Sequence, residues 1–557
     1  MEKVQKFVRR HWGPLVILFT SLFIVWPLMR SGYFPHHDDL QVIRIFEMRR
    51  CLSDGQLPCR WVPDMGYGNG YPLFNYYAPF PYYLGAVFSF VIGYINSAKM
   101  LFAFPLVLGG VAMFFLVKRL TNVWGGLVAG LLYLLAPYRA LDVYVRGALN
   151  ESWAIAVVPL VFLFIYNLSL KASKLNFIGL TLALFVFLTS HNVMTVLFSP
   201  ALVIWGVICF LIFRHQEFKV TVLATGLGVG MSLFFLLPAF MEKSLVQAES
   251  LTRFELDYHA NFLAVKQLFQ RGWGYGSSVV GASDNMSFQV GYPQVLVLFI
   301  TPLVLLWGFI KRGLDTKKTW LLVVGYLLFV ISLAMTHNRS TPVWDWFPIL
   351  KYTQFPWRFL ALGVFFSSWL GGLLTSLLEK QSLKLISLAV VLLSVVLNLA
   401  YFRPERTIMV SDREKLSGNL WEEQQKGALL DYLPKTALEP KEPAPKLPVV
   451  RKGEAEISDF YLGTNHWVFK AVVSDQTYLE VPVFDFPNWQ VWVDGEKYQH
   501  NHSNFVGRIG VILDTGDHVV TGKLKNTPVR WVSNWVSLIS FGLFLYVLSA
   551  KNRKVFK

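Results

Sequence analysis

Charge and cysteine are what this chain has least of: 15% of its 557 residues are Asp, Glu, Lys or Arg, and three are Cys. So little charge cannot cover the surface of a soluble globule of this length, and that class is excluded. The three cysteines have no zinc-type spacing, so a scaffold built on disulfides or zinc is excluded as well. Cys209 lies in an apolar run, whereas Cys51 and Cys59 share one polar loop, where an oxidising compartment could join them. No small-residue cleavage site follows Trp26-Pro27, so the first apolar run is read as a retained anchor.

What the chain does have is hydrophobic length. Apolar residues make up 54% of it, and runs long enough to cross a bilayer recur throughout. The formal charge of +16 comes from short clusters between those runs and not from one basic face, which argues for positive-inside topology and against nucleic acid. The clusters are residues 3–10, Lys118-Arg119, Lys171 with Lys174, Arg214 with Lys219, 311–318, Lys380 with Lys384, and 551–557. Placing them all in the cytoplasm predicts a mainly α, polytopic membrane protein with about twelve crossings. These fall near 12–28, 100–117, 123–138, 152–168, 175–189, 193–213, 220–240, 292–310, 320–335, 359–378, 385–402 and 531–548. Counting 80–95 as a crossing would put Lys118-Arg119 outside, so that stretch, with Pro79 and Pro81, is read as re-entrant or interfacial. Both termini are then cytoplasmic in a multi-pass cell-membrane protein. Residues 36–39, 142–151, His191-Asn192, 241–291 and 338–358 all emerge outside.

Between 403 and 530 hydropathy falls. A Pro, Lys and Glu-rich linker near 434–448 precedes strand-like runs at 467–473, 478–483, 490–493, 507–513 and 518–524, with turn signals at Asp494-Gly495 and Gly516. The pattern predicts an extracytoplasmic β-sandwich with no constellation of acid, base and nucleophile. Three parts are expected: a transmembrane domain 1–402 with its outer first loop 30–98, a β-rich domain 403–530, and a final crossing with a basic tail 531–557.

The first loop opens on His36-His37-Asp38-Asp39. Adjacent carboxylates at a bilayer surface must be solvated, capped or paired, which makes them candidates for chemistry. The plainer alternative is a capping box, because Asp38-Asp39-Leu40-Gln41 has the Asp-x-x-Gln form. His36 and His37 with the aspartates could hold a divalent cation, although adjacent ligands alone are a weak metal signal. Arg44, Arg49, Arg50 and Arg60 run against the positive-inside trend, so they either pair within an amphipathic helix or face an anionic ligand. Asp142, Arg146 and Glu151 form a second charged group, whose alternative is an Asp142 to Arg146 pair at helical spacing. Arg358, beside Phe355 and Trp357, either snorkels or contacts phosphate. His191 reads first as a packing residue and second as a ligand. Tyr67, Tyr71, Phe74, Tyr76 and Tyr77 suit stacking on sugar rings and interfacial anchoring equally.

Several strings carry a resemblance: Phe34-Pro-His-His-Asp-Asp-Leu-Gln-Val-Ile-Arg44, Gly55-Gln-Leu-Pro-Cys-Arg-Trp61, Gly66-Tyr-Gly-Asn-Gly-Tyr-Pro-Leu-Phe-Asn-Tyr-Tyr-Ala-Pro79, Tyr144-Val-Arg-Gly-Ala-Leu-Asn-Glu151 and Gln354-Phe-Pro-Trp-Arg358. Together they resemble the bacterial membrane-protein family labelled 6-pyruvoyl-tetrahydropterin-synthase-related, which is similar to the GT-C class of integral-membrane glycosyltransferases. Pro487-Asn-Trp-Gln-Val-Trp-Val-Asp-Gly495 looks like the tail of the YfhO-type membrane proteins. Nothing in the chain has the soluble synthase's layout of zinc-binding histidines. The resemblance implies a GT-C-like helical membrane fold, an acidic residue in the first outer loop, an interfacial helix beside it, and a polyprenyl-phosphate-linked sugar as donor. On that reading Asp38 or Asp39 is the catalytic base. His37, Arg44, Asp142, Arg146, Glu151, His191, Gln354 and Arg358 are the substrate-binding candidates, and the acceptor is a glycan, lipid or protein of the envelope. The rivals are a transporter or flippase of lipid-linked sugars, which would need polar residues inside the crossings where few are seen, and a noncatalytic envelope-assembly protein acting through its β-domain.

Overall fold

Apolar runs of about twenty residues can satisfy their backbone groups in a bilayer only as helices, and helices are what the computed structural model contains in those places. It describes residues 2–212, 218–270, 272–278, 285–311, 313–502 and 504–549. Among these, eleven helices are long and apolar enough to cross a membrane, from His11–Met29 to Pro528–Leu548. The other expected crossing, 175–189, is the 15-residue helix Lys174–Leu188. At about 1.5 Å per residue it falls short of a bilayer core roughly 30 Å thick. The stretch set aside as interfacial holds the 13-residue helix Phe80–Ile92. Arg214 and the basic tail 551–557 lie outside the described residues.

Burial sorts these helices into a centre and a periphery. Val123–Arg146 is buried throughout, and Pro356–Thr375 and Leu149–Leu170 are mostly buried, while Gln381–Tyr401 and Pro528–Leu548 are largely uncovered. On Gln381–Tyr401 the exposed Leu385, Leu388, Leu392 and Val396 form one apolar stripe, as a lipid-facing helix requires. Two central helices meet through glycine. A Cβ on Gly372 would lie 2.4 Å from the Gly125 carbonyl oxygen, so no larger residue permits that approach.

Residues 142–151 are not the open loop expected from the sequence. The central helix pauses at Leu135-Ala136, restarts at Pro137–Leu141 and closes with a π-helical turn, Asp142–Arg146. Pro137 supplies no N–H to continue the first segment, and proline is well placed to begin the second. Gly147, at φ +67°, then turns the chain into Leu149–Leu170, and a Cβ there would sit 2.0 Å from His36 Nδ1. The capping box also fails to form. Helix Gln41–Ser53 begins after Leu40 with no side-chain cap, because the Asp38 carboxylate is engaged by side chains and not by the helix's free N–H groups.

Six strands follow the bundle: β1 (Val449–Leu462), β2 (His466–Phe484), β3 (Trp489–Val493), β4 (Glu496–Tyr498), β5 (Arg508–Leu513) and β6 (Gly516–Leu524). The antiparallel domain expected as a β-sandwich is built from one six-stranded sheet in the order β1-β2-β6-β3-β4, with β5 paired to the far half of β2. The runs 467–473 and 478–483, read separately from sequence, are one strand, since Asp475 and Gln476 stay extended. Strand β1 went unread because its charges hide the alternation. Asp494 and Gly495, at φ +53° and +83°, make the two-residue turn between β3 and β4. Alternate residues of β2, including Trp467, Phe469, Leu479 and Val481, share one buried layer with Trp61 and Tyr76 of the first loop and with Leu429 and Leu433 ahead of the sheet. The sheet is thereby packed onto the first loop.

Candidate active site

The three most buried helices place their charged ends together. On the side of the bundle that carries the sheet, these ends, the first loop and residues 428–432 surround a cavity of about 660 Å³. Of the residues singled out in the sequence, His37, Asp38, Arg44, Arg146, Glu151, His191, Gln354 and Arg358 line it, whereas Asp39 and Asp142 do not.

Asp38 is held from two directions. Its N–H donates to the Arg146 carbonyl (2.9 Å), which clips the first loop to the π turn. Its carboxylate accepts from Arg44 Nη1 (2.7 Å) and Gln41 Nε2 (3.2 Å), and the Arg44 guanidinium lies over the Tyr77 ring. Asp39 turns the other way and accepts from Tyr33 Oη (2.6 Å) and Lys415 Nζ (2.8 Å). His36 is buried against Phe34 and Phe102, and burial pushes its imidazole down to about 4, so it is neutral. His37 Nε2 meets the Tyr275 carbonyl oxygen at 2.8 Å. Tyr33 Oη stands between His36 Nε2 (3.2 Å) and Asp39, while Asp38 and His37 are drawn to Arg44 and the Tyr275 carbonyl, so the cation grouping weighed from sequence does not form. Among the described residues no three His, Cys, Asp or Glu side chains gather as metal ligands.

The remaining first-loop arginines are engaged by the protein itself. Arg50 pairs with Asp64, Arg49 donates to the Ser89 carbonyl, and Arg60 donates to Asn75, Asn534 and the Phe234 carbonyl. Cys51 and Cys59 are joined by a disulfide.

Across the cavity, Glu151 collects Tyr138 Oη (2.5 Å), Arg146 Nη1 (3.1 Å) and Arg358 Nε (3.4 Å). Asp142 also pairs with Arg146, so the helical-spacing pair exists, yet Arg146 reaches the cavity wall all the same and stacks over Trp357 at 4.3 Å. Arg358 donates to the Thr353 carbonyl (2.8 Å) and Gln354 Oε1 (3.1 Å). His191 Nδ1 accepts the Met194 N–H (3.1 Å). Burial, aided by Arg358 and Arg146 and opposed by Glu151, lowers this imidazole to about 3. The ring is therefore neutral with its proton on Nε2, as a hydrogen-bond donor.

Sequence reasoning missed Lys243, Tyr352, Asp431 and Tyr432 on the same wall. Lys243 Nζ lies over the Tyr352 ring at 5.2 Å. Burial, reinforced by Asp38 and opposed by Arg44, raises the Asp431 carboxyl to about 7. The one signal in the sequence was a lone acid in the apolar run Ala428-Leu429-Leu430.

Residues 74–403 match the family described as 6-pyruvoyl-tetrahydropterin synthase related domain, a membrane protein. An uncharacterised protein of Lactococcus lactis subsp. cremoris is 24% identical over 347 residues, which are 60% of this chain and 54% of that protein. The chain thus spans about half the length of the curated relative it matches. Among solved structures, the mycobacterial arabinofuranosyltransferase AftD is similar at a TM-score of 0.44 and 12% identity, over 72% of this chain and 28% of that one. The Archaeoglobus fulgidus oligosaccharyltransferase tethered to an acceptor peptide gives 0.41 at 13%, over 76% and 64%. ArnT of Cupriavidus metallidurans bound to undecaprenyl phosphate gives 0.30 at 14%, over 66% and 77%.

Proposed function

The chain belongs to the 6-pyruvoyl-tetrahydropterin synthase related family of membrane proteins, and we propose that it is a glycosyltransferase moving a sugar from a polyprenyl-phosphate donor to an envelope acceptor on the outer face of the cell membrane. One observation carries this reading: a first-loop carboxylate, Asp38, shares a cavity with the guanidiniums of Arg146 and Arg358 and the neutral donor His191. Transfer from a lipid phosphate needs a carboxylate near the acceptor hydroxyl and donors near the departing phosphate.

In this scheme Asp38 accepts a hydrogen bond from the acceptor hydroxyl and orients it. Arg146, Arg358, Lys243 and the His191 Nε2–H meet the phosphate, and Glu151 with Asp142 holds the first two in register. Tyr77, Phe355 and Trp357 offer flat faces to a sugar ring, while Val193, Phe240, Leu251 and Ile349 offer an apolar wall to a lipid chain. The β-rich part, 403–530, serves as a lid on the first loop, with both chain termini in the cytoplasm.

The test is turnover by the purified protein in lipid against a panel of radiolabelled polyprenyl-phosphate sugars, with Asp38→Asn beside wild type at matched expression. Sugar release by wild type that falls about 100-fold or more in the variant supports the reading. Equal rates in the two proteins, or no turnover of any donor, sink it.

A further inference from the structure

Asp431 reaches the cavity from the segment that leads into the sheet, and the scheme above gives it no task. That segment is firmly placed. Tyr71 Oη donates to the Ala428 carbonyl (2.6 Å) and accepts the Tyr432 N–H (2.6 Å), the Gln247 N–H donates to the Leu433 carbonyl (2.8 Å), and the Tyr432 ring stacks on Tyr76. These ties fix residue 431 on the wall.

Asp431 differs from the other acids there. Asp38 is held by Arg44, and Glu151 by two guanidiniums and a phenol. The carboxylates of those two acids are thus already occupied by donors of the protein. Glu255 is exposed to water. The half-buried Asp431 carboxylate receives no hydrogen bond from any of the described residues. The titratable groups facing it are Arg44, Asp38, Tyr71, Tyr77 and its neighbour Tyr432. Arg44 thus acts on Asp431 as well as on Asp38, so the first loop and the segment ahead of the sheet share one cation.

We propose that Asp431 is the proton acceptor of the transfer, an assignment that rests on the glycosyltransferase reading of this cavity. The acceptor hydroxyl oxygen, oriented by Asp38, bonds to the anomeric carbon of the donor sugar. The bond from that carbon to the phosphate oxygen breaks, with its electron pair remaining on the phosphate. The hydroxyl proton passes to a carboxylate oxygen of Asp431 and leaves to water when the acceptor product departs. The segment ahead of the sheet is then part of the reaction centre and more than a tether. A base that titrates near the working pH is the one best matched to this step, and the position of the Asp431 carboxyl near 7 fits that requirement.

The experiment uses the full-length protein in lipid nanodiscs, the same panel of radiolabelled polyprenyl-phosphate sugars, and a pH series from about 5 to 9. Wild-type kcat should rise through pH ~7 and level off above it. Asp431→Asn should lower kcat about 100-fold or more, leave the donor KM within about threefold and abolish the inflection, while Asp431→Glu restores part of the rate with a displaced inflection. A second readout does not depend on turnover. Since the folded-state carboxyl lies above the ordinary Asp value, its contribution to stability is full at low pH and is lost as pH rises through about 7. The wild-type Tm should therefore fall relative to that of Asp431→Asn between pH 5 and 8. If wild type turns a donor over and Asp431→Asn keeps its kcat and inflection, the assignment is overturned while the glycosyltransferase reading stands. If wild type releases sugar from no donor, the reading itself fails, and the proton-transfer step with it.

Discussion

Lys415 Nζ lies 2.8 Å from Asp39 Oδ2, joining residues 376 positions apart in the chain. The pair separates the two adjacent aspartates by task. Asp39 fastens the segment ahead of the sheet to the first loop, and Asp38 remains at the cavity with Arg44.

Asp39→Asn should therefore act on stability and Asp38→Asn on turnover. Removing Asp39's charge leaves a buried ammonium without its partner, a loss on the order of 1–3 kcal/mol given that Asp39 is partly exposed. Thermal unfolding and sugar release measured on both variants should dissociate. A normal Tm for Asp39→Asn together with lost turnover would reverse the two roles.

Gly147→Ala should be among the most damaging single-methyl changes in the chain. The residue sits at φ +67°, and its new Cβ would lie 2.0 Å from the buried His36 ring, which also packs on Phe102. The expected cost is on the order of 2 kcal/mol or more. It should appear as a lower Tm or poor recovery of folded protein from the membrane.

The buried His36 and the half-buried His191 set a pH dependence of stability on the acid side. Burial lowers His36 to about 4 and His191 to about 3, below the ordinary histidine value near 6.5. For a group depressed in this way the stabilising contribution is whole above about 6.5, where the unfolded chain is also neutral, and is lost as pH falls toward 4 and 3. Tm should decline between pH 6.5 and 4, and His191→Gln should flatten part of that decline.

The same substitution probes the role of the Nε2 donor. Gln can present an N–H where His191 presents Nε2–H, whereas Leu cannot. Donor KM should stay within a few-fold of wild type in His191→Gln and rise about tenfold in His191→Leu. Equal KM values in the two variants would remove His191 from the phosphate contacts.

Topology can be read by cysteine labelling, because Cys51 and Cys59 are bridged and Cys209 is buried. A cysteine at exposed Ser458 on β1 should react with a membrane-impermeant maleimide in intact cells. One at exposed Thr316, in a basic cluster, should react only after lysis. The reverse pattern would turn the protein over in the membrane.

The helices and most of the strands were legible because their signals are local. An apolar run as long as 292–310 must become a helix in lipid whatever surrounds it, and Asp494-Gly495 between alternating apolar residues announces a hairpin by itself. Strand β1 escaped because charges fill its exposed face and a register shift after Ser458 breaks the alternation of Ala455, Ile457, Phe460 and Leu462, which pack half-buried on the core. Residues 142–151 were misread because their charges looked like those of a loop. They are held inside the protein in part by Arg358, a partner of Glu151 that no local window contains.

The sequence by itself determined a membrane-spanning helical bundle, a β-rich part near its end, and a first loop rich in acids, arginines and aromatics. Apolar periodicity and charge placement act over a few residues and leave their mark there. Only the tertiary structure decided that Asp38 and not Asp39 meets the cavity, that Glu151 gathers Arg146 and Arg358, and that Lys243 and Asp431 join them. A buried charge takes its partner from whichever segment packing brings within a few ångströms, and in this chain those segments come from positions as far apart as 38 and 431.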